Sequence, residues 1–226
     1  MRICLEDVHV RLGGRDVLRG VTLEITERRV AVVGANGSGK STLARLLNGL
    51  VLPTSGRVLV DGLDTRRRGR DVRRRVGFVF ADPDAQIVMP TVAEDVAYSL
   101  RRSGLSKRQV AARVAAELER QGLADHADHP AHLLSGGQKQ LLALSSVLAA
   151  DPRLVVADEP TTLLDLRHAR AVTARFAALE QHVVLVTHAL DLVSGFDRVL
   201  VVDGGRVVAD DVPDVAVPAY RRLMGC

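Results

Sequence analysis

The stretch that decides the fold reads Gly34-Ala35-Asn36-Gly37-Ser38-Gly39-Lys40-Ser41-Thr42. It follows an apolar run, residues 30–33, and precedes a helix-like segment, residues 43–49. This is the P-loop pattern G-x-x-x-x-G-K-[ST] in the order strand, glycine loop, helix that the pattern requires. Glycine lets the backbone turn closely around an anion, so that successive N–H groups point at phosphate. The stretch therefore predicts a nucleotide-phosphate site.

Each part of the P-loop has an expected role. Lys40 reaches the β- and γ-phosphates, Ser41 places its hydroxyl on Mg²⁺, and the loop N–H groups bind phosphate together with the helix N-terminus. A chance glycine turn is the structural alternative, and the complete pattern in its required context argues against it. The P-loop alone does not distinguish kinases, GTPases and transport ATPases, which share it.

The composition is that of a soluble globular protein. Of the 226 residues, 47% are apolar and 26% charged, while aromatic residues make up 3% and Trp is absent, so the core is expected to consist of Leu, Val and Ala. No run of eighteen uncharged apolar residues occurs, and the N-terminus is too short and too acidic for a signal peptide. Cys4 and Cys226 have neither metal-site nor disulfide-framework spacing. We expect a cytosolic chain with reduced thiols.

The net charge of +4 comes from arginine, and seven arginines lie within residues 66–75. This run has three possible roles: it binds nucleic acid, it binds anionic lipid headgroups, or it simply faces solvent. Because no aromatic residues are interleaved with the arginines, we favour a solvated connecting face.

The order of elements along the chain predicts an α/β fold. The first thirty residues nearly alternate and indicate antiparallel strands, and further strands are expected near residues 57–60 and 76–80. Capping boxes beginning at Thr91 and Ser106 start helices, the second of which Gly122 can end. Beyond residue 138, helices alternate with apolar runs, as in a parallel sheet, and residues 199–208 indicate a hairpin. The tail after Pro213 carries no clear signal.

The predicted fold class is therefore α/β, a P-loop NTPase core with a mainly parallel sheet and flanking helices. An N-terminal antiparallel β subdomain and an inserted α-helical subdomain complete a single domain, residues 1–226. We divide it approximately into residues 1–30 (antiparallel β), 30–80 with 141–226 (core), and 81–140 (helical).

Two carboxylates end the apolar run at residues 154–159. In a parallel α/β sheet the ligand lies at the carboxyl ends of the strands. Asp158 is expected to hold Mg²⁺, directly or through water, and Glu159 to polarise a water for in-line attack on the γ-phosphate. An ordinary acidic turn is the alternative, and the nearby P-loop makes it the weaker one.

A second glycine-rich element, Leu134-Ser135-Gly136-Gly137-Gln138-Lys139-Gln140, also opens a helix. Ser135 can cap that helix, while the free N–H groups of Gly136 and Gly137 bind another phosphate. One nucleotide does not need two such sites from one subunit. Two subunits arranged head to tail use both, each giving its P-loop to one nucleotide and this second cradle to the other.

These motifs together resemble the ATP-binding subunit of an ABC transporter. Residues 134–140 are similar to the signature motif, 154–159 to the Walker B strand, 163–165 to the D-loop, and Thr187-His188 to the switch-histidine loop. The resemblance covers about residues 8–206 and implies an ATPase. It implies that Ser135, Gly136, Gly137 and Gln138 contact ATP held by the opposite subunit, and that His188 hydrogen-bonds the γ-phosphate in its own subunit.

Two positions depart from that family pattern. Ala81 stands where the family has its Q-loop glutamine, and Asp82, Asp84 or Gln86 could substitute for it. Leu12 stands where an aromatic residue usually stacks on adenine. Because such stacking is worth on the order of 1–3 kcal/mol per base, we expect weak discrimination between ATP and GTP.

Three histidines, His126, His129 and His132, form an H-x₂-H-x₂-H run. Metal binding is the functional interpretation of such a run. Two-residue gaps do not place three ligands on one helix face, and Pro130 interrupts the segment, so a structural role is favoured.

Residues 80–97 are similar to the ATPases of energy-coupling factor (ECF) importers of vitamins or transition metal ions. That resemblance implies a position on the cytoplasmic face of the membrane. It also implies a transmembrane coupling subunit clasped near residues 85–125, and a separate membrane substrate-binding subunit. Because all motifs for two active sites occur in this one chain, a homodimer suffices, and a heterodimer stays open as the alternative. The short chain favours the biotin-type system over cobalt or nickel import. A soluble ABC ATPase acting on nucleic acid stays as the alternative, and no nucleic acid is expected because coiled-coil insertions and paired ATPase domains are absent.

Overall fold

The computed structural model describes residues 1–225. Cys226 lies outside the described residues, and Cys4 is a free, half-buried thiol. The ten strands of this part of the chain are β1 Ile3–Leu12, β2 Arg15–Ile25, β3 Arg29–Val33, β4 Ser55–Val60, β5 Leu63–Asp64, β6 Val76–Val79, β7 Leu154–Asp158, β8 His182–Val186, β9 Arg198–Asp203 and β10 Arg206–Asp211. Its seven α-helices are α1 Lys40–Leu46, α2 Gly69–Arg75, α3 Val92–Ser99, α4 Lys107–Gln121, α5 Gly136–Ala149, α6 Leu166–Ala178 and α7 Pro213–Met224.

The strands form two sheets. The larger has the order β10-β9-β3-β8-β7-β6, and all its neighbours are parallel except the β9–β10 hairpin. The smaller is antiparallel in the order β2-β1-β4-β5. The predicted α/β class with a mainly parallel sheet and an N-terminal antiparallel element is confirmed. Strands β4 and β5 follow the P-loop in sequence yet pair beside β1, so the antiparallel sheet is built from two separate stretches of chain.

The central strands are buried on both faces, as is usual for parallel sheets covered by helices. One hydrophobic cluster lies between the large sheet, helix α1 and the antiparallel sheet. A second covers the opposite face of the large sheet, beneath α5, α6 and α7. Apart from Phe78, Phe176 and Phe196, these two clusters consist of aliphatic residues, as the composition predicts.

The helical region, α3 to α5, has its own small core, centred on residues such as Val96, Leu118 and Leu142. Both predicted capping boxes are present, at Thr91 and at Ser106. Gly122 ends α4 in the left-handed conformation with φ 71°, which is the role predicted for it. Within residues 1–225, no helix has both the length and the apolar character to cross a bilayer.

Two helices were not predicted from the sequence. Helix α2 includes the end of the arginine run. Its Val72 is buried, whereas most of the arginines are exposed. Helix α7 begins at Pro213, contains Pro218 and fully buries only Ala216, so two helix-breaking residues disguised a segment that is amphipathic. It packs on β9 and β10.

Candidate functional site

The P-loop connects the end of β3 with the start of α1. Gly37 and Gly39 have φ values of 77° and 110°, which side chains with a Cβ rarely adopt. A Cβ on Gly39 would also lie 2.9 Å from the backbone oxygen of Val17 on β2. The loop thus needs glycine both for its conformation and for its close approach to the antiparallel sheet.

Lys40 is almost fully buried at the first position of α1. Its Nζ donates a hydrogen bond to the backbone oxygen of Ala35 at 2.9 Å, across the loop, and lies 3.8 Å from Oε1 of Glu159. Desolvation lowers the pKa of Lys40 below 10.5, and Glu159 and Asp158 oppose that shift. An ammonium group is therefore held where anionic phosphate oxygens would improve its environment.

Glu159 lies near two other predicted catalytic residues, Lys40 and His188. It follows β7 directly and has a left-handed backbone, φ 51°, a strained conformation for a non-glycine residue. Its Oε1 lies 2.8 Å from Nε2 of His188, and its Oε2 accepts a hydrogen bond from Oγ1 of Thr162 at 3.1 Å. The structure therefore brings Lys40, Glu159 and His188 together around one carboxylate, although they are far apart in sequence.

Asp158, at the end of β7, is buried, and its two oxygens differ. Oδ2 lies 3.2 Å from Nη2 of Arg45, whereas Oδ1 is buried without a hydrogen-bond partner among residues 1–225. A buried carboxylate oxygen with a free lone pair is a ligand that suits Mg²⁺. Ser38 of the P-loop likewise has a buried Oγ without a partner. These atoms fit a Mg²⁺-nucleotide, with Ser41 as the predicted second protein ligand.

Arg45 and Thr162 were not predicted as site residues. Arg45 lies one turn into the P-loop helix and meets Asp158 only because α1 packs against β7. No motif marks either residue.

The second glycine-rich element starts α5. Ser135 accepts a hydrogen bond from the backbone N–H of Gln138 at 3.3 Å, and Oε1 of Gln138 accepts one from the backbone N–H of Ser135 at 2.9 Å. The predicted cap is therefore confirmed, as a complete capping box. Ser135 and Gly136 are exposed, whereas Gly137 is buried and lies against His168 of α6.

This element is not joined to the P-loop in one chain. Among the described residues, no hydrogen bond or ion pair connects Ser135, Gly136, Gly137 or Gln138 with Gly34–Thr42. The chain thus presents two separate glycine-rich elements at helix N-termini, one beside the carboxylates and one away from them.

The residues that could replace the missing glutamine at Ala81 all have other partners. Asp82 caps a short 3₁₀ helix by accepting from the N–H of Asp84 at 3.0 Å, and Asp84 pairs with Lys139 at 2.7 Å. The side chain of Gln86 accepts from the N–H of Phe80 at 3.1 Å and donates to backbone oxygens of β6 and α5. These three side chains therefore tie the loop to β6 and α5 within the chain.

The three histidines of the run are not gathered into one cluster in the described part of the chain. No group of three or more His, Cys, Asp or Glu side chains that could hold a metal ion occurs within residues 1–225. The rings of His126 and His129 stack with centroids 4.9 Å apart, and His126 contacts Gln138. The Mg²⁺ site predicted at Asp158 and Ser41 does not need a group of three such side chains, because nucleotide oxygens supply its other ligands.

Comparison with known proteins gives a consistent set of relatives. The family model for ABC transporters matches residues 18–162. A relative from Deinococcus radiodurans, which bears the general name of an ABC transporter ATP-binding protein, is 55% identical over 210 residues, covering 93% of each chain. The biotin transport ATP-binding protein BioM of Rhizobium etli is 46% identical over 99% of each chain. The energy-coupling factor transporter ATP-binding protein EcfA1 of Symbiobacterium thermophilum is 47% identical over 85% of this chain and 70% of its own.

Two solved structures are also similar. One is cbiO1 from Clostridium perfringens, part of the ABC transporter complex cbiONQ, with a TM-score of 0.86 and 31% identity over 99% of this chain and 92% of its own. The other is the dimeric ATP-binding cassette MJ0796 in a post-hydrolysis state bound to ADP and Pi. Its TM-score is 0.81, with 28% identity over 93% of this chain and 98% of its own.

Proposed function

Since the chain belongs to the ABC transporter family of ATPases, we propose that it powers import of a small molecule as the ATP-hydrolysing subunit of an ECF-type transporter. The first candidate substrate is a vitamin such as biotin, and a transition metal ion is the second. The observation that carries the proposal is the meeting of Lys40, Glu159 and His188 at one end of the sheet, while the second phosphate cradle lies elsewhere in the chain.

The reaction is hydrolysis of ATP to ADP and phosphate, and we assign its steps to named side chains. Lys40 binds the β- and γ-phosphates, and the N–H groups of Gly34–Thr42 surround them. Glu159 takes a proton from the attacking water, and His188 holds the γ-phosphate. Ser41 and Asp158 would hold Mg²⁺, which would neutralise charge on the phosphates. Arg45, 3.2 Å from Oδ2 of Asp158, offsets part of the charge of that carboxylate.

In the described residues the second phosphate cradle makes no hydrogen bond or ion pair to the P-loop. We infer that it acts on a nucleotide bound by a second subunit. Ser135 and Gly136 are exposed at the N-terminus of α5, where the N–H groups of Gly136 and Gly137 have no intrahelical partner. In a head-to-tail homodimer these groups cover the γ-phosphate bound by the other P-loop, so each ATP is buried between two chains. The dimeric state of MJ0796 with ADP and Pi supports this arrangement.

The loop after β6 is the proposed contact with a transmembrane coupling subunit. Buried Asp95 accepts hydrogen bonds from the N–H groups of Val88 and Met89 at 2.8 and 3.1 Å and from Oγ of Ser146 at 2.8 Å. This fixes the loop and leaves Val88 62% exposed beside a cleft of about 320 Å³. We assign this cleft, which Val88 and Met89 border, to docking of the coupling subunit. A separate membrane protein then selects the substrate.

The proposal is tested by affinity purification of the tagged chain from detergent-solubilised membranes of its own cells. We expect two membrane proteins to co-purify, and cells lacking the chain to lose uptake of radiolabelled biotin while they retain Co²⁺ and Ni²⁺ uptake. The opposite pattern of uptake assigns metal-ion import. Recovery of nucleic acid in a salt-sensitive complex, without membrane proteins, contradicts the proposal.

Base selectivity is expected to be weak because Leu12 takes the place of an aromatic ring. Leu12 lies at the end of β1, is 46% exposed and pairs with Arg15 across the hairpin. We predict that ATP and GTP bind within tenfold of each other, and that Leu12→Tyr raises ATP affinity by about fivefold or more because stacking is worth on the order of 1–3 kcal/mol. Isothermal titration of both nucleotides checks this. A preference for ATP of tenfold or more in the unchanged chain contradicts it.

A further inference from the structure

One histidine of the H-x₂-H-x₂-H run contacts the start of α5. His126 ends a short 3₁₀ helix, Ala124–His126, and its Nε2 lies 2.6 Å from Nε2 of Gln138. Gln138 is the residue whose side chain closes the capping box on Ser135. His126 therefore contacts the second phosphate cradle indirectly, through the side chain of Gln138.

The hydrogen-bond network determines which atoms donate. Oε1 of Gln138 accepts from the backbone N–H of Ser135, so the amide cannot turn over without placing its NH₂ against another donor. The NH₂ group of Gln138 consequently faces His126, whose Nε2 must accept. In a neutral imidazole the proton is then on Nδ1, and this atom is buried without a hydrogen-bond partner among the described residues.

The buried Nδ1–H makes His126 an unfavourable residue for stability alone. An unsatisfied buried donor destabilises the fold, and an apolar side chain of similar size would avoid that loss. The compensating contacts are the bond to Gln138 and the stack on His129. The bond to Gln138 is the one that reaches the cradle.

We propose that His126 is a positioning residue for ATP hydrolysis across the dimer. By accepting from Gln138, it holds the amide that keeps the backbone N–H of Ser135 engaged, and this keeps the N–H groups of Gly136 and Gly137 directed at the γ-phosphate of the opposite subunit. Without the acceptor, the Gln138 side chain turns away and the cradle loses its orientation. The inference rests on the proposed function, because it requires that the cradle bind ATP held by a second copy.

The test measures ATP-dependent dimerisation by light scattering in a Glu159→Gln background, where hydrolysis does not interfere. We expect His126→Leu to raise the ATP concentration for half-maximal dimerisation by about tenfold, the loss of roughly one hydrogen bond. Binding of a fluorescent ATP analogue to the monomer stays unchanged, since the P-loop is untouched. His126→Gln, whose amide oxygen can accept, restores dimerisation, and His132→Leu is the matched control.

The outcomes distinguish failure of the positioning role of His126 from failure of the proposed function. Impaired dimerisation of His126→Leu with an unchanged or higher unfolding temperature, together with rescue by His126→Gln, supports the positioning role. Dimerisation of His126→Leu at the parent's ATP concentration overturns it, as does an equal loss in the Leu and Gln variants with lowered unfolding temperatures. Failure of the Glu159→Gln parent itself to dimerise with ATP overturns the proposed function, and the inference with it.

Discussion

Replacing Glu159 with Gln is expected to lower the rate of ATP turnover by a factor of about 10²–10⁴, the usual contribution of a general base. The amide has nearly the same size and can keep the contacts with Thr162 and His188. It cannot take a proton from water, so the chemical step slows while the fold is unchanged. Steady-state release of inorganic phosphate measures the effect.

The same variant is expected to retain ATP-dependent dimers. Lys40, Ser41 and Asp158 still hold the Mg²⁺-nucleotide, and the cradle at Ser135 is unchanged, so the closed dimer accumulates when hydrolysis no longer releases it. Size-exclusion chromatography with light scattering detects it. Glu180→Gln, at an exposed carboxylate outside the site, is the control and should hydrolyse ATP normally. If Glu159→Gln turns over at the unchanged rate, another group is the base.

The parts of the site that follow from local sequence were predictable. A P-loop is defined by glycines, one lysine and one hydroxyl residue within a short stretch. Asp158 ends a recognisable buried strand, and Glu159 directly follows it. The cap at Ser135 likewise depends only on a residue three positions later, Gln138. In each case the residues involved lie within one short stretch of chain, so the local sequence pattern predicts the conformation.

Contacts between distant segments were not predictable in the same way. Arg45 meets Asp158, and His126 meets Gln138, through the packing of separate elements, and no spacing rule connects those positions. The sequence left open which side chain replaces the glutamine at Ala81. The structure shows Asp84 and Gln86 already paired inside the chain, which depends on where α5 lies relative to β6. Helix α7 was missed because Pro218 interrupts its pattern.

The groups expected to bind Mg²⁺-ATP contact one another within the chain. The carboxylate of Glu159 lies near Lys40 and His188, and Arg45 lies against Asp158. A γ-phosphate is expected to attract Lys40 and His188, and Mg²⁺ to attract Asp158. We therefore expect nucleotide binding to exchange ion pairs within the chain for ion pairs to the ligand and to leave Glu159 available for water.

Lys40→Met is expected to reduce ATP affinity by a factor of about 10 to 150, the range for losing a hydrogen bond to a charged group. The same substitution is expected to leave the unliganded fold equally stable or more stable, by up to about 2 kcal/mol. Lys40 is almost fully buried, and its pKa is lowered because desolvation outweighs the attraction of Glu159 and Asp158. Methionine of similar length removes this desolvation cost, while His188 remains beside the carboxylate of Glu159.

The sign of the pH dependence follows from the same lowered pKa. Between that value and the ordinary 10.5, the unfolded chain binds the proton more tightly than the folded chain, so the stability of the unchanged protein rises with pH in this window. The stability advantage of Lys40→Met should therefore be largest at neutral pH and shrink toward pH 10.5. Urea unfolding without nucleotide, at several pH values, measures it. Exposed Lys107→Met is the control and should change neither stability nor ATP binding. A variant at position 40 that binds ATP normally contradicts the P-loop assignment, and one that is less stable contradicts the burial argument.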